Sequence, residues 1–158
     1  MSKRDFISIA GLSPDRLHHI LEKGTALKDS PTPMLLKGKT IALLFQKPSL
    51  RTKVSFDAAV YQMGGHAIYL SPDEVGMGQR EATEDVARVL GRLVDGIVAR
   101  TFSHEDIEAL ASYSPVPVIN GLSDAEHPCQ AVADLLTVKE RLGRLKGLTI
   151  AYVGDGNN

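Results

Sequence analysis

Four short apolar runs that alternate with helical patterns constrain the fold of this chain more than any other feature. Each run has the length and composition of a buried β-strand. The expected strands are residues 41–45, 67–70, 97–99 and 116–119. Because strands that alternate with helices are joined by crossover connections, the pattern predicts an α/β fold with a doubly wound parallel sheet flanked by helices. Pro117 places the last strand at a sheet edge, or else marks where that strand starts.

Capping residues and apolar stripes mark the helices between these strands. The expected helices cover 14–28, 49–63, 83–93, a segment that begins after Ser103, and 128–142. A proline-rich loop is expected at 29–33, and a polar, glycine-rich loop at 71–81. The second loop either carries function or is a mobile surface connection, and the residues alone do not separate the two.

A fifth apolar run, residues 148–153, precedes Gly154-Asp155-Gly156. We expect this run to be the first strand of a second, similar domain, so that the chain is a fragment with domains at 1–147 and 148–158. The Gly-Asp-Gly turn also resembles part of a dinucleotide-binding fingerprint, which leaves a nucleotide-binding domain as an alternative. That alternative is the weakest, because the sequence supplies neither the following helix nor an acidic partner for a ribose.

The composition excludes several classes of protein. A net charge of −1 gives no reason to expect nucleic acid or an anionic membrane as a partner, so any positive site is local. No apolar run is long enough to cross a bilayer, and we expect no signal peptide. One cysteine rules out an internal disulfide and indicates a cytoplasmic setting, and with five scattered histidines it makes a metal site unexpected.

Basic residues gather where the helix capped by Ser49 is expected to begin. Lys47, Arg51 and Lys53 lie there, although the free N–H groups of a helix N-terminus favour acidic residues. A bound anion removes this conflict, because backbone N–H groups, hydroxyls and a guanidinium together form a phosphate site. The alternative is a capped helix whose basic side chains are simply solvated.

Further polar residues follow the third and fourth strands. Arg100 ends a strand at the sheet edge where ligands of open α/β sheets bind, or it is solvated or paired with an acid. His127 and Gln130 lie three residues apart at a helix start, so both can reach one small ligand. Alternatively, His127 has a structural role as the helix cap.

Three features taken together resemble the carbamoyltransferases. They are Ser49-Leu50-Arg51-Thr52, Arg100, and His127-Pro128-Cys129-Gln130. The similarity extends over nearly the whole chain and includes 45–49, 87–92, 117–124 and 153–158. The ornithine members are the most similar, because they usually have cysteine in the second motif, where aspartate carbamoyltransferases usually have threonine.

The resemblance implies transfer of the carbamoyl group of carbamoyl phosphate to the side-chain amine of L-ornithine, giving L-citrulline and phosphate in arginine biosynthesis. It implies no metal and no other cofactor. The implied ligands of carbamoyl phosphate are Ser49, Leu50, Arg51, Thr52, Arg100, His127 and Gln130. Arg100 and His127 would be the catalytic residues. The alternatives are aspartate or another amine as acceptor, or a non-catalytic anion-binding module.

The resemblance also implies an organisation. Residues 1–147 would be the carbamoyl-phosphate-binding domain, including an interdomain helix at 128–142, and 148–158 would begin an ornithine-binding domain. The fragment alone is therefore expected to be inactive. The family forms homotrimers or multiples of trimers, in which the loop matching 71–81 reaches a neighbour's site. Here Gln79 or Arg80 is the expected contact.

Overall fold

The centre of the molecule is a four-stranded parallel sheet. In the computed structural model, which describes residues 3–29 and 34–154, the strands are β1 (Thr40–Phe45), β2 (His66–Leu70), β3 (Gly96–Arg100) and β4 (Val118–Leu122). They pair in the order β2-β1-β3-β4. The chain therefore leaves β1 toward one edge and β3 toward the other, which confirms the predicted doubly wound α/β fold. It also creates a switch point between β1 and β3, where ligands of such sheets bind.

Six helices connect and cover the strands in the described part of the chain. They are α1 (Pro14–Asp29), α2 (Leu50–Gln62), α3 (Pro72–Val75), α4 (Thr83–Leu93), α5 (His104–Tyr113) and α6 (Pro128–Leu142). All the predicted helices are present, within a residue or so at each end. α6 packs against β4 and against α1. The proline-rich loop was predicted at 29–33. Its first residue, Asp29, ends α1, and residues 30–33 lie outside the described residues.

Two predicted boundaries are wrong. The segment 71–81 is not all loop, because Ser71 and Glu74 form a capping box that starts the short helix α3, with the Ser71 N–H donating to Glu74 Oε2 at 2.8 Å. β4 also begins two residues later than predicted and runs to Leu122. Pro117 precedes this strand and has no N–H to donate, although its carbonyl accepts from Ile97 at 2.9 Å.

Each face of the sheet has its own core, since successive strand residues point to opposite sides. On one face Leu44 and Ala99 share an apolar cluster with Ile107 of α5. On the other, Phe45 belongs to a cluster against which Phe56 of α2 packs. Burial of a side chain such as Phe45 contributes roughly 2 kcal/mol. This two-sided packing fixes the carboxyl ends of β1 and β3, and with them the residues that follow.

Gly91 lets α4 approach the end of α5. A Cβ at this position would lie 2.3 Å from Cδ of Pro115. We expect Gly91→Ala to lower the free energy of unfolding by about 1–3 kcal/mol, because the overpacking outweighs the gain in helix propensity. Urea unfolding measures the change. Gly11→Ala is the control, since a Cβ there meets no described atom within 4 Å, and equal losses in both variants would contradict the explanation.

The predicted fifth strand is not formed. Residues 148–153 have no strand assignment, and Ile150, Tyr152 and Val153 are exposed. A strand needs a hydrogen-bonded neighbour, and none of the described strands lies beside this segment. Most of the Gly-Asp-Gly turn, from residue 155 onward, lies outside the described residues. Within the described ranges, no helix is long and apolar enough to cross a membrane.

Candidate anion-binding site

A cleft of about 630 Å³ opens at the carboxyl ends of β1 and β3, with residues of α2 and α6 along its walls. It brings together six of the seven carbamoyl-phosphate residues predicted from the sequence. Its lining comprises Ser49, Arg51, Thr52, Ser55, Phe56, Ala59, Arg100, Leu122, His127, Cys129, Gln130 and Ala133. The two motifs lie nearly 80 residues apart in the chain, so the topology of the sheet makes the site.

The first wall of the cleft is the N-terminus of α2. Ser49 has extended backbone angles, φ −157° and ψ 115°, and its Oγ accepts from the Thr52 N–H at 3.4 Å. The first turn of α2 contains no acidic residue. The positive end of the helix dipole and the remaining free N–H groups are therefore available to an anion in the cleft.

Only one of the three basic residues near this helix start lines the cleft. Lys47 lies over the ring of Phe102 at 4.9 Å, and Lys53 lies over the ring of Tyr69 at 3.5 Å. These cation–π contacts hold both ammonium groups over aromatic rings, so of the three residues only Arg51 lines the cleft. Arg51 is exposed, and its side chain has no hydrogen bond or ion pair with any described residue.

Arg100 supplies a second guanidinium group from the end of β3. Its Nε is buried and has no hydrogen-bond partner among the described residues. Burial lowers the pKa of Arg100 below its usual range, although a guanidinium stays charged in proteins. The backbone is held in place, because the Arg100 carbonyl accepts from Gln46 N–H at 2.8 Å. A buried donor without a partner is unusual, and an anionic ligand in the cleft could accept a hydrogen bond from it.

His127 caps α6 and presents a neutral ring to the cleft. Its Nδ1 accepts from the Gln130 N–H at 3.4 Å, so the proton of the neutral ring is on Nε2. Its pKa is lowered from 6.5 mainly by burial and also by the positive charge of Arg100, while Asp134 acts in the opposite direction. At neutral pH the ring is therefore a hydrogen-bond donor through Nε2 without carrying a charge.

Gln130 and Cys129 complete this wall. The Gln130 Nε2 donates to Asp134 Oδ1 at 2.9 Å, which leaves the amide oxygen to accept from a ligand. The Cys129 thiol donates to the Asn120 carbonyl at 3.4 Å, and burial raises its pKa to about 11. A thiol with this pKa is protonated at neutral pH, so Cys129 contributes packing and a weak hydrogen bond rather than a nucleophile.

Three predicted site residues lie elsewhere. The side chain of Leu50 is exposed and does not line the cleft, so only its backbone belongs to the helix start. Gln79 lines a separate cavity of about 200 Å³ beside Phe102. Arg80 donates to the carbonyls of Glu74 and Val75, within its own loop. None of the three therefore reaches the cleft of its own chain.

Sequence reasoning missed part of the lining. Ser55 and Ala59 follow Arg51 at intervals of four, so one face of α2 continues the site inward. That helical spacing would have found them. Sequence reasoning also did not single out the fully buried Asn120, which is hydrogen-bonded to Glu126 and to Cys129. Its role depends on contacts between distant segments, for which a single sequence gives no signal.

The charge of Arg100 provides a test of this geometry. We expect Arg100→Gln to raise the pKa of His127, because the guanidinium disfavours protonation of the nearby ring. An NMR titration of the imidazole measures it. Arg92→Gln, which removes the same charge outside the cleft, is the control and should leave the titration unchanged. An unchanged midpoint in Arg100→Gln would show that the two groups do not interact.

The same lowered pKa fixes the sign of a stability effect. The unfolded chain protonates His127 near pH 6.5, and the folded chain does so only at lower pH. The contribution of His127 to the free energy of unfolding is therefore fully present above pH 6.5. It is lost as the pH falls from 6.5 through the lower folded pKa.

A doubly wound sheet whose switch-point cleft presents two guanidinium groups, neither paired with a described acid, defines an α/β domain with the features of a small-anion site. Residues 4–140 match the family model described as "Aspartate/ornithine carbamoyltransferase, carbamoyl-P binding domain". The chain therefore belongs to the aspartate/ornithine carbamoyltransferase family, which confirms the resemblance inferred from its motifs.

Individual relatives agree with this assignment. An ornithine carbamoyltransferase of Anoxybacillus flavithermus is 48% identical over 161 residues, covering 98% of this chain and 51% of the relative. The structure of an ornithine carbamoyltransferase from Pyrococcus furiosus has a TM-score of 0.95 and 47% identity, covering 99% of this chain and 51% of that one. The chain thus spans about half the length of the curated relatives that it matches.

A second solved structure is more distant. It is an N-acetyl-L-ornithine transcarbamylase in complex with carbamyl phosphate and N-succinyl-L-norvaline. Its TM-score is 0.82 at 36% identity, and the match covers 89% of this chain and 48% of the other. The fold is therefore shared with a protein named for a different amine substrate.

Proposed function

We propose that this chain is the carbamoyl-phosphate half of an ornithine carbamoyltransferase. The enzyme transfers the carbamoyl group of carbamoyl phosphate to the side-chain amine of L-ornithine, giving L-citrulline and phosphate. The observation that carries the proposal is the convergence of Arg51 and Arg100, both without an acidic partner among the described residues, on a cleft shared with the α2 N-terminus and the cap of α6.

The phosphate of the substrate binds at the start of α2. Ser49 and Thr52 supply hydroxyls, the first turn supplies backbone N–H groups, and Arg51 adds a guanidinium that matches two phosphate oxygens at once. Lys53 is on the same helix but is stacked on Tyr69, so it contributes less than its charge indicates. The dianion neutralises a site that otherwise holds excess positive charge.

The carbamoyl group lies toward α6. Arg100 spans the phosphate and the carbonyl oxygen, and Nε2 of His127 donates to the same oxygen. These donors stabilise the oxyanion that forms when the amine attacks the carbonyl carbon, and one such donor typically contributes about 3 kcal/mol. The free amide oxygen of Gln130 accepts from the carbamoyl NH2 and so orients it. The C–O bond to phosphate then breaks, phosphate leaves with the bonding electrons, and its oxygen takes up the proton that the attacking nitrogen loses.

Ornithine is the preferred acceptor among the amines the family uses. The relatives of 46–51% identity are named ornithine carbamoyltransferases. Cys129 also supports ornithine as the acceptor, because the ornithine members of the family usually have cysteine at this position. Residues 1–147, including the interdomain helix 128–142, form the carbamoyl-phosphate domain, and 148–158 begin the ornithine-binding domain, which supplies the second substrate. The chain alone is therefore inactive.

The active enzyme is a cytoplasmic homotrimer, or a multiple of trimers, that serves arginine biosynthesis. Gln79 and Arg80 do not reach the cleft of their own chain, which supports a role for this loop at a neighbour's site. The reaction needs no metal and no organic cofactor, because the donors described above supply the required polarisation.

Calorimetry with the 158-residue chain tests the binding half of the proposal. Carbamoyl phosphate should bind with a stoichiometry of one, and L-ornithine alone should not bind. Fusion of the chain to the C-terminal half of an ornithine carbamoyltransferase should then give citrulline formation with ornithine and none with aspartate. Binding without turnover in a folded fusion would favour the non-catalytic module, and turnover with aspartate would favour the other acceptor.

A further inference from the structure

We propose that Asn120 is a positioning residue that sets the place and orientation of His127. Asn120 is fully buried in β4 and forms hydrogen bonds to both sides of the histidine. Its Nδ2 donates to the Glu126 carbonyl at 3.3 Å, one residue before His127. Its backbone carbonyl, which is present whatever the side chain, accepts from the Cys129 thiol at 3.4 Å, two residues after the histidine. The inference goes beyond the proposed function, which assigns Asn120 no role.

The side-chain carboxamide of Asn120 also holds the end of β4. Its Oδ1 accepts from the Leu122 N–H at 2.9 Å, and Nδ2 lies 3.4 Å from the Ser123 hydroxyl. This stretch contains an irregular register, in which Arg100 pairs with Leu122 while Ala99 pairs with Asn120. An extra residue of this kind bends the strand locally. One buried side chain thus closes the bulge and holds the turn that follows it.

An N-terminal segment reinforces the same turn. Asn120 donates to the Ile7 carbonyl through Nδ2 at 3.0 Å and to the Phe6 carbonyl through its backbone N–H at 2.8 Å. The Ile9 N–H donates to Glu126 Oε2 at 2.9 Å. The turn before His127 is therefore fixed between β4 and residues 6–9, with Asn120 contacting both. Buried, fully used amides of this kind favour one geometry, because any displacement leaves a polar group without a partner.

The consequence for the site is selective. Ser49 caps α2, and Arg51 and Thr52 lie in its first turn; none of the three has a hydrogen bond to Asn120 among the described contacts. Loss of the Asn120 carboxamide should therefore leave the phosphate cradle intact and displace His127, and with it the contact to the carbonyl oxygen. The expected effect on carbamoyl phosphate rests on the proposed function. The expected displacement of the His127 ring is independent of it.

The test compares Asn120→Asp and Asn120→Ala with the unchanged chain. The aspartate variant keeps the shape and the acceptor for Leu122, but it sets a carboxylate oxygen against the carbonyls of Ile7 and Glu126. We expect affinity for carbamoyl phosphate to fall about tenfold in both variants. Affinity for inorganic phosphate should change less than about twofold, because most of its contacts lie at the start of α2. In the ligand-free variants, the pKa of His127 measured by NMR titration should rise toward 6.5, because the ring becomes less buried.

Two further variants separate positioning from general stability. Glu126→Ala loosens the same turn from its partly exposed side and should change carbamoyl-phosphate affinity and the His127 titration in the same direction, by less. Ser114→Ala removes a buried hydroxyl near the other end of β4, whose Oγ donates to the Val116 carbonyl at 2.9 Å, and should change neither.

The outcomes are distinct. An unchanged pKa of His127 in the folded Asn120 variants overturns the inference. Equal losses of affinity for inorganic phosphate and for carbamoyl phosphate overturn it as well. If the unchanged chain binds neither ligand, the proposed function fails. The ligand-free titration of His127 then still decides whether Asn120 positions the ring.

Discussion

We expect Arg51→Ala to abolish measurable binding of carbamoyl phosphate and to leave the fold intact. A charge-assisted pair of hydrogen bonds from a guanidinium to phosphate is worth about 3 kcal/mol, so affinity should fall by roughly a hundredfold or more. The side chain is exposed and has no partner among the described residues, so its removal takes no contact from the folded chain. Calorimetric titration measures the affinity, and urea unfolding measures the stability.

Lys53→Ala is the matched control for this experiment. It removes the same charge from the same helix, two residues away, but its ammonium lies over Tyr69 rather than in the cleft. We expect its affinity for carbamoyl phosphate to fall by less than about fivefold, through the weaker field alone. Similar losses in both variants would mean that the helix start attracts the anion only through its overall charge, without the directed contact assigned to Arg51.

The fold was predictable because its determinants are local. The apolar run 41–45 and the cap at Ser49 specify a strand and a helix without reference to the rest of the chain, and both are present. Residues 148–153 have an equally apolar sequence and form no strand. Strand formation depends on a neighbour as well as on propensity, and sequence pattern reports only the propensity.

The site was predictable to the extent that its residues belong to motifs. Ser49, Arg51 and His127 follow from capping chemistry and from the family resemblance, and the structure places all three on one cleft. The positions of Lys47 and Lys53 were not predictable, because each depends on an aromatic ring that comes from another part of the chain. Charge counted along a sequence overstates a basic cluster whenever such partners are available.

The second large effect concerns His127, which serves as helix cap and as proposed oxyanion donor. In the enzyme completed by an ornithine-binding half, we expect His127→Ala to lower kcat by about a hundredfold to a thousandfold, with a much smaller change in the Kd of carbamoyl phosphate. The phosphate contacts on α2 remain, so binding survives, while the oxyanion loses its donor. The rate of citrulline formation at saturating substrates gives kcat, and calorimetric titration with carbamoyl phosphate gives Kd.

The alanine variant also removes the cap of α6, so a second substitution is needed to separate the two roles. Asparagine is a good N-cap, and His127→Asn should restore about 1 kcal/mol of stability relative to alanine, because its Oδ1 can accept from the Gln130 N–H as Nδ1 does now. Its shorter side chain places no donor where Nε2 lies, so kcat should stay low. Recovery of turnover in His127→Asn would assign the histidine to capping alone, and equal losses of kcat and affinity in both variants would assign it to substrate positioning.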